Sequence, residues 1–252
     1  MDTGQVAIFV PMNAVIDIGN TFVKLGFFEG DTLVHAFDRL DREATLQHCA
    51  TFRPENILIC SVGSSAQDWA QALAQISSRI LTLDPLLPVP LVNHYETPGT
   101  LGTDRLAASV GARVLYPADA CLIVNMGTCI TYDYVDSNNN YWCGSISTGL
   151  RMRFKAMHTF TSRLPLLEPP ESAVALIGRN TRDAMLSGAI NGMAAELEGI
   201  IESYREQDSS LRILGCGGDA AYFERRIKAP IFVVSKLVLI GLNRILQYNL
   251  TQ

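Results

Sequence analysis

The chain has 252 residues, of which 48% are hydrophobic and 18% are charged, and its formal net charge is -5. This is the composition of a globular protein with a sizeable core. The negative charge argues against a general nucleic-acid-binding protein, because phosphate contacts need clustered lysine and arginine. The six cysteines form no CxxC pair, which favours reduced thiols in a cytoplasmic protein over a zinc site.

The first half of the chain predicts a strand, a tight turn and a second strand over residues 15–28. The preceding residues 1–13 carry an aspartate and no basic residue, so we interpret them as an N-terminal extension rather than a signal peptide. No apolar run is long and charge-free enough to predict a membrane helix. Apolar spacing predicts helices over 41–50, 64–80 and 103–115, with a buried strand over 57–62.

The second half echoes the first. The segment Ile16-Asp17-Ile18-Gly19-Asn20 matches Val124-Asn125-Met126-Gly127-Thr128, and each copy opens a strand-turn-strand. A strand over 211–216 and helices at about 149–161, 180–206, 218–226 and 238–248 complete this half. The echo predicts a duplicated α/β fold with two domains, 14–117 and 118–252, and a cleft between them.

The turn Asp17-Ile18-Gly19-Asn20-Thr21 has the features of a phosphate-binding site. Its glycine lets backbone N–H groups approach phosphate oxygens, and Asp17 at the end of a buried strand can ligate Mg²⁺. Lys24 on the next strand can neutralise phosphate charge. The alternative is an ordinary hairpin turn. A carboxylate within an apolar strand is costly without a partner, which favours the functional interpretation.

Two later turns are candidates for contacts with the same ligand. Asn125–Thr128 predicts the other side of a phosphate clamp, with Thr128 as a hydroxyl donor, or else a packed hairpin. Gly215–Ala220 is a glycine-rich turn between a strand and a helix. Its glycines suit either a flat adenine or ribose or a tight turn alone, and the spacing favours neither.

The loop Gly102-Thr103-Asp104-Arg105 leads into a predicted helix. Asp104 can accept a proton from a substrate hydroxyl, and Arg105 can bind a carboxylate through two hydrogen bonds. The alternative is a helix cap followed by a surface arginine. This segment alone leaves both interpretations open.

Taken in order, these motifs resemble type III pantothenate kinases. The matching patterns are DIGNT-x-x-K from Asp17, Y-x-x-P-x-x-x-G-x-D-R from Tyr95, G-T-x-x-T-x-D from Gly127, N-T at Asn180 and G-G-D-A from Gly217. The likeness runs from about Val15 to Asn249. It implies an actin-like fold of the acetate kinase/Hsp70/actin class with two ribonuclease-H-like halves, and a homodimer. It also implies ATP-dependent phosphorylation of pantothenate, the first step of coenzyme A synthesis.

The resemblance also implies roles for individual residues. The ATP-binding residues would be Asp17, Ile18, Gly19, Asn20, Thr21, Phe22, Val23, Lys24 and Thr128, with Mg²⁺ beside Asp17. The pantothenate-binding residues would be Tyr95, Gly102, Thr103, Asp104, Arg105 and Thr181, the last contacting pantothenate across the dimer interface. Asp104 would be the general base.

The chain departs from the family pattern in its second half. Members usually have Asp, a ligand for K⁺ or NH₄⁺, where this chain has Asn125. Asn keeps a carbonyl oxygen and loses the charge, so we expect a weaker monovalent-cation site. The departures motivate one alternative, a non-catalytic relative that binds pantothenate or nucleotide without turnover. Another is a sugar kinase or phosphatase-like sensor of the same fold class, against which the Gly102–Arg105 loop argues.

Overall fold

The computed structural model describes residues 11–19, 22–61 and 66–251. The strands are β1 (Met12–Ile18), β2 (Val23–Glu29), β3 (Thr32–Leu40), β4 (Asn56–Ser61), β5 (Arg79–Thr82), β6 (Val92–Asn93), β7 (Cys121–Met126), β8 (Cys129–Val135), β9 (Asn140–Thr148), β10 (Arg212–Cys216) and β11 (Phe232–Val233). The helices are α1 (Arg42–Phe52), α2 (Ala66–Leu73), α3 (Thr103–Leu115), α4 (Leu150–Thr159), α5 (Thr181–Gln207), α6 (Ala220–Glu224) and α7 (Leu237–Leu250).

By its contacts the chain divides into two compact units. The first takes the chain up to Pro90, then Thr97–Val114, then Val238 onward, and the second takes Leu91–Glu96 and Leu115–Leu237. The domain boundaries expected from the sequence, 14–117 and 118–252, place α7 in the second domain. The contacts place α7 in the first unit instead.

The first unit contains a five-stranded sheet in the order β3-β2-β1-β4-β5. Strands β1, β2 and β3 are antiparallel neighbours, whereas β4 and β5 run parallel to β1. Nearly every residue of β1 and β4 is buried, as expected for central strands with both faces covered. Asp17, the only charged residue of β1, is therefore held among buried apolar side chains.

The second unit repeats this topology. Its sheet has the order β11-β10-β7-β8-β9-β6, in which β9-β8-β7-β10-β11 matches β3-β2-β1-β4-β5 strand for strand. The antiparallel and parallel pairings also correspond. Asn125 is the penultimate residue of β7 as Asp17 is of β1. The α/β fold and the echo between the halves are thus present in the architecture, and β6 is an added edge strand.

Some local predictions differ from the structure. The helix expected over 64–80 ends at Leu73, and residues 79–82 form β5 instead. The Ser77 hydroxyl donates to the carbonyl oxygen of Glu55 at 2.6 Å, which holds the chain beside β4 and ends any helix there. Strand β1 also begins at Met12, three residues earlier than expected, because the side chain of Asn13 joins a buried amide network with Asn56 and Asn243.

Helix α7 packs closely on α3 within the first unit. At Gly241 a Cβ atom would lie 1.7 Å from the carbonyl oxygen of Ala107 on α3 and 2.8 Å from the backbone nitrogen of Gly111. Glycine is therefore required at this position by the approach of the two helix backbones.

We expect Gly241→Ala to lower the melting temperature, because α7 must move away from α3 and overpacking costs about 1–3 kcal/mol. The matched control is Gly199→Ala on α5, where a Cβ would meet nothing within 4 Å. Alanine is favoured over glycine in a helix by about 1 kcal/mol, so this control should melt at or above the wild-type temperature. Thermal melts followed by circular dichroism test both variants, and a Gly241→Ala protein as stable as wild type would contradict the packing argument.

Candidate active site

The site in the first unit is built around Asp17. The Asp17 residue is 7% exposed, and its strand neighbours are Lys24 on β2 and Cys60 on β4. The Lys24 Nζ lies 3.7 Å from Asp17 Oδ2. The strand register therefore places a cation beside the buried carboxylate, and the predicted role of Lys24 in neutralising phosphate charge stays a prediction.

The charges around Asp17 favour the binding of a further cation beside its carboxylate. Its pKa is raised from the ordinary 3.8 to about 6, because burial and the nearby charge of Asp104 raise it by more than Lys24 lowers it. Two carboxylates that repel each other in a partly buried site gain from a cation between or beside them. Carboxylate oxygens are also the protein ligands that Mg²⁺ prefers, so Asp17 fits the predicted metal role.

The amino end of α3 brings the predicted substrate loop to the same region. The Gly102 carbonyl oxygen accepts hydrogen bonds from the backbone nitrogens of Arg105 (3.1 Å) and Leu106 (3.3 Å). The Thr103 Oγ1 lies 3.2 Å from the Cys60 Sγ, which joins the first turn of α3 to β4 beside Asp17. The loop and the Asp17 turn are thus connected through one buried thiol.

Arg105 is buried, unlike the surface arginine expected next to an ordinary helix cap. Asp104 Oδ1 accepts a hydrogen bond from the backbone nitrogen of Arg105 at 2.9 Å, and the Arg105 residue is only 5% exposed. A guanidinium is rarely buried to this extent unless it has partners. The structure therefore excludes the surface-arginine alternative that the sequence left open.

Part of the first phosphate turn lies outside the described residues, namely Asn20 and Thr21. On either side of them, the Gly19 nitrogen donates to the Phe22 carbonyl oxygen at 3.2 Å. The Phe22 side chain is exposed, whereas Ile18 and Val23 are buried in the apolar core. The predicted backbone contacts of this turn with phosphate stay a prediction.

The site in the second unit is a set of backbone turns packed against one another. A Cβ at Gly149 would lie 2.2 Å from the carbonyl oxygen of Gly127, and one at Gly217 would lie 2.4 Å from that of Met126. Gly217 also has φ +91°, a left-handed conformation that favours glycine. The turn after Asn125, the start of α4 and the glycine-rich turn after β10 therefore meet at one place. Thr128 is exposed there.

An ion pair at this place escaped the sequence analysis. Arg151 Nη1 on α4 lies 2.5 Å from Asp219 Oδ1, and the Asp219 carboxylate is buried. The backbone nitrogen of Asp219 also donates to the Met126 carbonyl oxygen at 3.0 Å. Arg151 and Asp219 are 68 positions apart, and no spacing rule connects them. The Gly217-Gly218-Asp219 motif was the one sequence feature that could have pointed to Asp219.

The other two predicted substrate residues lie in the second unit. Thr181 is the first residue of α5, exposed, and follows Asn180, whose side chain accepts a hydrogen bond from the Asp183 nitrogen at 2.9 Å. Tyr95 is half-buried, and its nitrogen donates to Asn93 Oδ1 at 2.9 Å. The predicted pantothenate residues are therefore distributed over both units.

Two structural absences concern the described residues, 11–19, 22–61 and 66–251. Among them, no group of three or more His, Cys, Asp or Glu side chains is arranged to hold a metal ion. Within the same ranges, no helix combines the length and the apolar character that crossing a membrane requires.

Comparison with known proteins decides the family. The family model for type III pantothenate kinase matches residues 14–203. A type III pantothenate kinase of Cytophaga hutchinsonii is 41% identical over 240 residues, which cover 94% of this chain and 100% of the relative. One from Christiangramia forsetii is also 41% identical, over 245 residues covering 96% and 100%. This chain belongs to the type III pantothenate kinase family.

Solved structures agree with the fold of this pantothenate kinase family member. A Campylobacter jejuni protein described as a Baf family transcriptional activator has a TM-score of 0.62 at 20% identity, covering 95% of this chain and 100% of its own. A Listeria monocytogenes protein described as an N-acetylmannosamine kinase has a TM-score of 0.55 at 13% identity, covering 94% and 99%. At these identities the likeness shows the fold alone, which is the predicted actin-like ATPase class.

We expect Asp17→Asn to stabilise the kinase in the absence of nucleotide and Mg²⁺. The folded-state pKa of about 6 lies above the ordinary 3.8, so the fold favours the protonated acid and the ionised form costs stability. That cost is absent below pH 3.8, grows as the pH rises to 6, and is complete above it. The difference in pKa corresponds to roughly 3 kcal/mol at most.

Thermal melts at pH 7.5 and pH 4.5 measure this effect. Asp17→Asn should melt well above wild type at pH 7.5 and close to it at pH 4.5. Glu29→Gln, a carboxylate-to-amide change at an exposed position of β2, serves as the control and should change little at either pH. A lower melting temperature for Asp17→Asn at pH 7.5 would show that the carboxylate stabilises the fold instead.

Proposed function

We propose that this chain transfers the γ-phosphoryl group of ATP to the primary hydroxyl of pantothenate, giving 4'-phosphopantothenate in the first step of coenzyme A synthesis. Membership of the type III pantothenate kinase family supports the reaction. One structural observation supports the assignment of the chemistry. A half-buried carboxylate, Asp104, lies close enough to the buried Asp17 to raise its pKa, and the Lys24 Nζ lies 3.7 Å from Asp17 Oδ2.

Asp104 is the proposed general base. Phosphoryl transfer needs positioning, charge neutralisation and a group that orients the nucleophile and accepts its proton. The Asp104 carboxylate is fixed by the hydrogen bond that its Oδ1 accepts from the Arg105 nitrogen. Arg105 binds the pantothenate carboxylate in this proposal, and Tyr95 and Thr181 complete the substrate contacts together with Gly102 and Thr103.

The turn from Asp17 to Lys24 is the proposed site for the ATP phosphates. Asp17 holds Mg²⁺ through its carboxylate, and Lys24 neutralises phosphate charge. Asp17 would hold the ion, which would supply positive charge to offset the negative charge that develops in phosphoryl transfer. Thr128, exposed at the glycine turns of the second unit, donates its hydroxyl to the nucleotide.

We also propose that the protein is a cytoplasmic homodimer. Phe160, Leu176 and Ile177, which precede Thr181 in the chain, are large apolar side chains that are largely exposed. Exposed apolar side chains gathered in one segment are typical of protein–protein interfaces. This placement supports the expectation that Thr181 contacts the pantothenate bound by a second copy. Nothing in the comparisons favours the non-catalytic alternative.

Asp104→Asn tests the proposed base. Losing the proton acceptor should lower kcat by about 10²–10⁴-fold, since general-base catalysis contributes this much, while the amide keeps the shape of the side chain. Formation of phosphopantothenate from ATP, Mg²⁺ and pantothenate is the measurement. Asp31→Asn, at an exposed turn of the first unit, is the control and should keep wild-type kcat. Full activity of Asp104→Asn would remove Asp104 from the base role.

Asn125→Asp tests the monovalent-cation site. We expect wild-type activity to depend only weakly on K⁺, because Asn125 offers a carbonyl oxygen without charge, and we expect the carboxylate variant to show a stronger dependence. Titration of K⁺ and NH₄⁺ against a constant ionic strength measures both. A wild-type dependence as strong as that of Asn125→Asp would contradict this interpretation.

A further inference from the structure

An exposed tryptophan on β9 is held in a single orientation. The Trp142 residue is 53% exposed, and its indole stacks on the His94 ring with centroids 4.1 Å apart and planes only 6° from parallel. A large exposed apolar side chain with a fixed partner is unusual, because exposed side chains ordinarily move freely in water. The stack therefore needs an explanation other than burial in a core.

Hydrogen bonds fix both rings. The Trp142 Nε1 donates to Asp136 Oδ2 at 3.1 Å, and the Asn140 Nδ2 donates to the same oxygen at 2.9 Å. The Asn140 Oδ1 then faces His94 Nε2 at 3.0 Å. Because the Asn140 amide nitrogen is used by Asp136, its oxygen accepts, and His94 Nε2 is the donor. The four side chains form one connected network.

Asp136 is well suited to anchor this network. Burial acts to raise its pKa, but hydrogen bonds donated by Asn140, Trp142 and Asn138 hold the pKa below the ordinary value. The carboxylate is therefore ionised at neutral pH, and hydrogen bonds to an ionised acceptor are stronger than those between neutral groups.

The network holds a segment that has little other structure. Strand β6 has two residues, Val92 and Asn93, paired with Asn140 and Tyr141 of β9. The backbone nitrogen of His94 donates to the Tyr141 carbonyl oxygen at 3.0 Å. The chain on both sides of Leu91–Glu96 belongs to the first unit, whereas these six residues belong to the second. A two-residue strand is a weak attachment, and the stacked rings lie at its end.

We propose that the His94–Trp142 stack is a positioning pair that holds Tyr95 for pantothenate binding. His94 directly precedes Tyr95, so fixing the imidazole fixes the backbone from which the Tyr95 side chain extends. The inference rests on the proposed function, in which Tyr95 lines the pantothenate site. Neither ring touches the substrate in this proposal, and both act through Tyr95.

Steady-state kinetics of His94→Ala, Trp142→Ala and the double variant test the pair. We expect each variant to raise the KM for pantothenate by about 3- to 10-fold, the energy of one aromatic pair, while kcat and the KM for ATP stay near wild type. The double variant should equal the single ones, because either change abolishes the same stack. Trp142→Phe keeps a ring to stack on His94 and should restore most of the pantothenate KM.

The matched control is Phe232→Ala. Phe232 is also an exposed aromatic residue with ring and cation contacts, to Tyr116 and Arg212, but it lies on β11 at the opposite edge of the same sheet. Its removal should leave the pantothenate KM unchanged. Hydrogen exchange gives an independent readout, since the amides of residues 92–96 should exchange faster in Trp142→Ala and at the wild-type rate in Phe232→Ala.

The outcomes separate the inference from the proposed function. A wild-type protein that forms no phosphopantothenate contradicts the proposed function. With an active wild type, an unchanged pantothenate KM in Trp142→Ala overturns the positioning role, as does an equal rise in the KM values for ATP and pantothenate. Additive effects in the double variant would also overturn it, because they show that the two rings act separately.

Discussion

Asp17 introduces a carboxylate into a strand whose other buried residues are almost all apolar. Water solvates this group poorly, Asp104 repels it, and Lys24 at 3.7 Å compensates only in part, so its pKa stays near 6. An ionised group held in this way is unfavourable for the free protein and favourable for a bound cation. The placement of β2, β4 and the start of α3 around it follows from the strand register and from the contact between Thr103 and Cys60. The chemistry proposed for the first unit depends on this one costly position.

The second unit shows what the same architecture becomes without that charge. Asn125 occupies the position of Asp17, and its parallel-strand neighbour Cys216 occupies that of Cys60. Around Asn125 the backbone turns at Gly127, Gly149 and Gly217 pack closely, and the charged side chains at this place are the ion pair of Arg151 and Asp219. One half of the duplication thus has a buried carboxylate beside a lysine at this position, while the other has an amide beside tightly packed backbone turns.

Much of the fold and part of the site could be predicted from the sequence. The apolar runs of β1, β4, β7 and β10 are continuous because these strands are buried on both faces. The glycine turns that the sequence analysis singled out directly follow β1 and β7. Strands β3 and β9 were missed because they are half exposed and carry no continuous apolar pattern.

The features that sequence reasoning missed depend on residues far apart in the chain. Arg151 and Asp219 meet only after α4 and the turn following β10 have folded, and the position of α7 against α3 is set by a backbone contact at Gly241. Local periodicity carries no information about such contacts. The burial of Arg105 belongs to the same class, since its residue type alone suggests a surface position.

The interleaved path of the chain has a consequence for its synthesis. Strands β7, β8 and β9 of the second unit lie well before α7 in the chain, so they can leave the ribosome and pair before α7 does. The first unit, although it begins earlier, lacks the helix that packs on α3 until α7 emerges. The packing of α3, the helix that carries Asp104 and Arg105, is consequently completed only after α7 has left the ribosome.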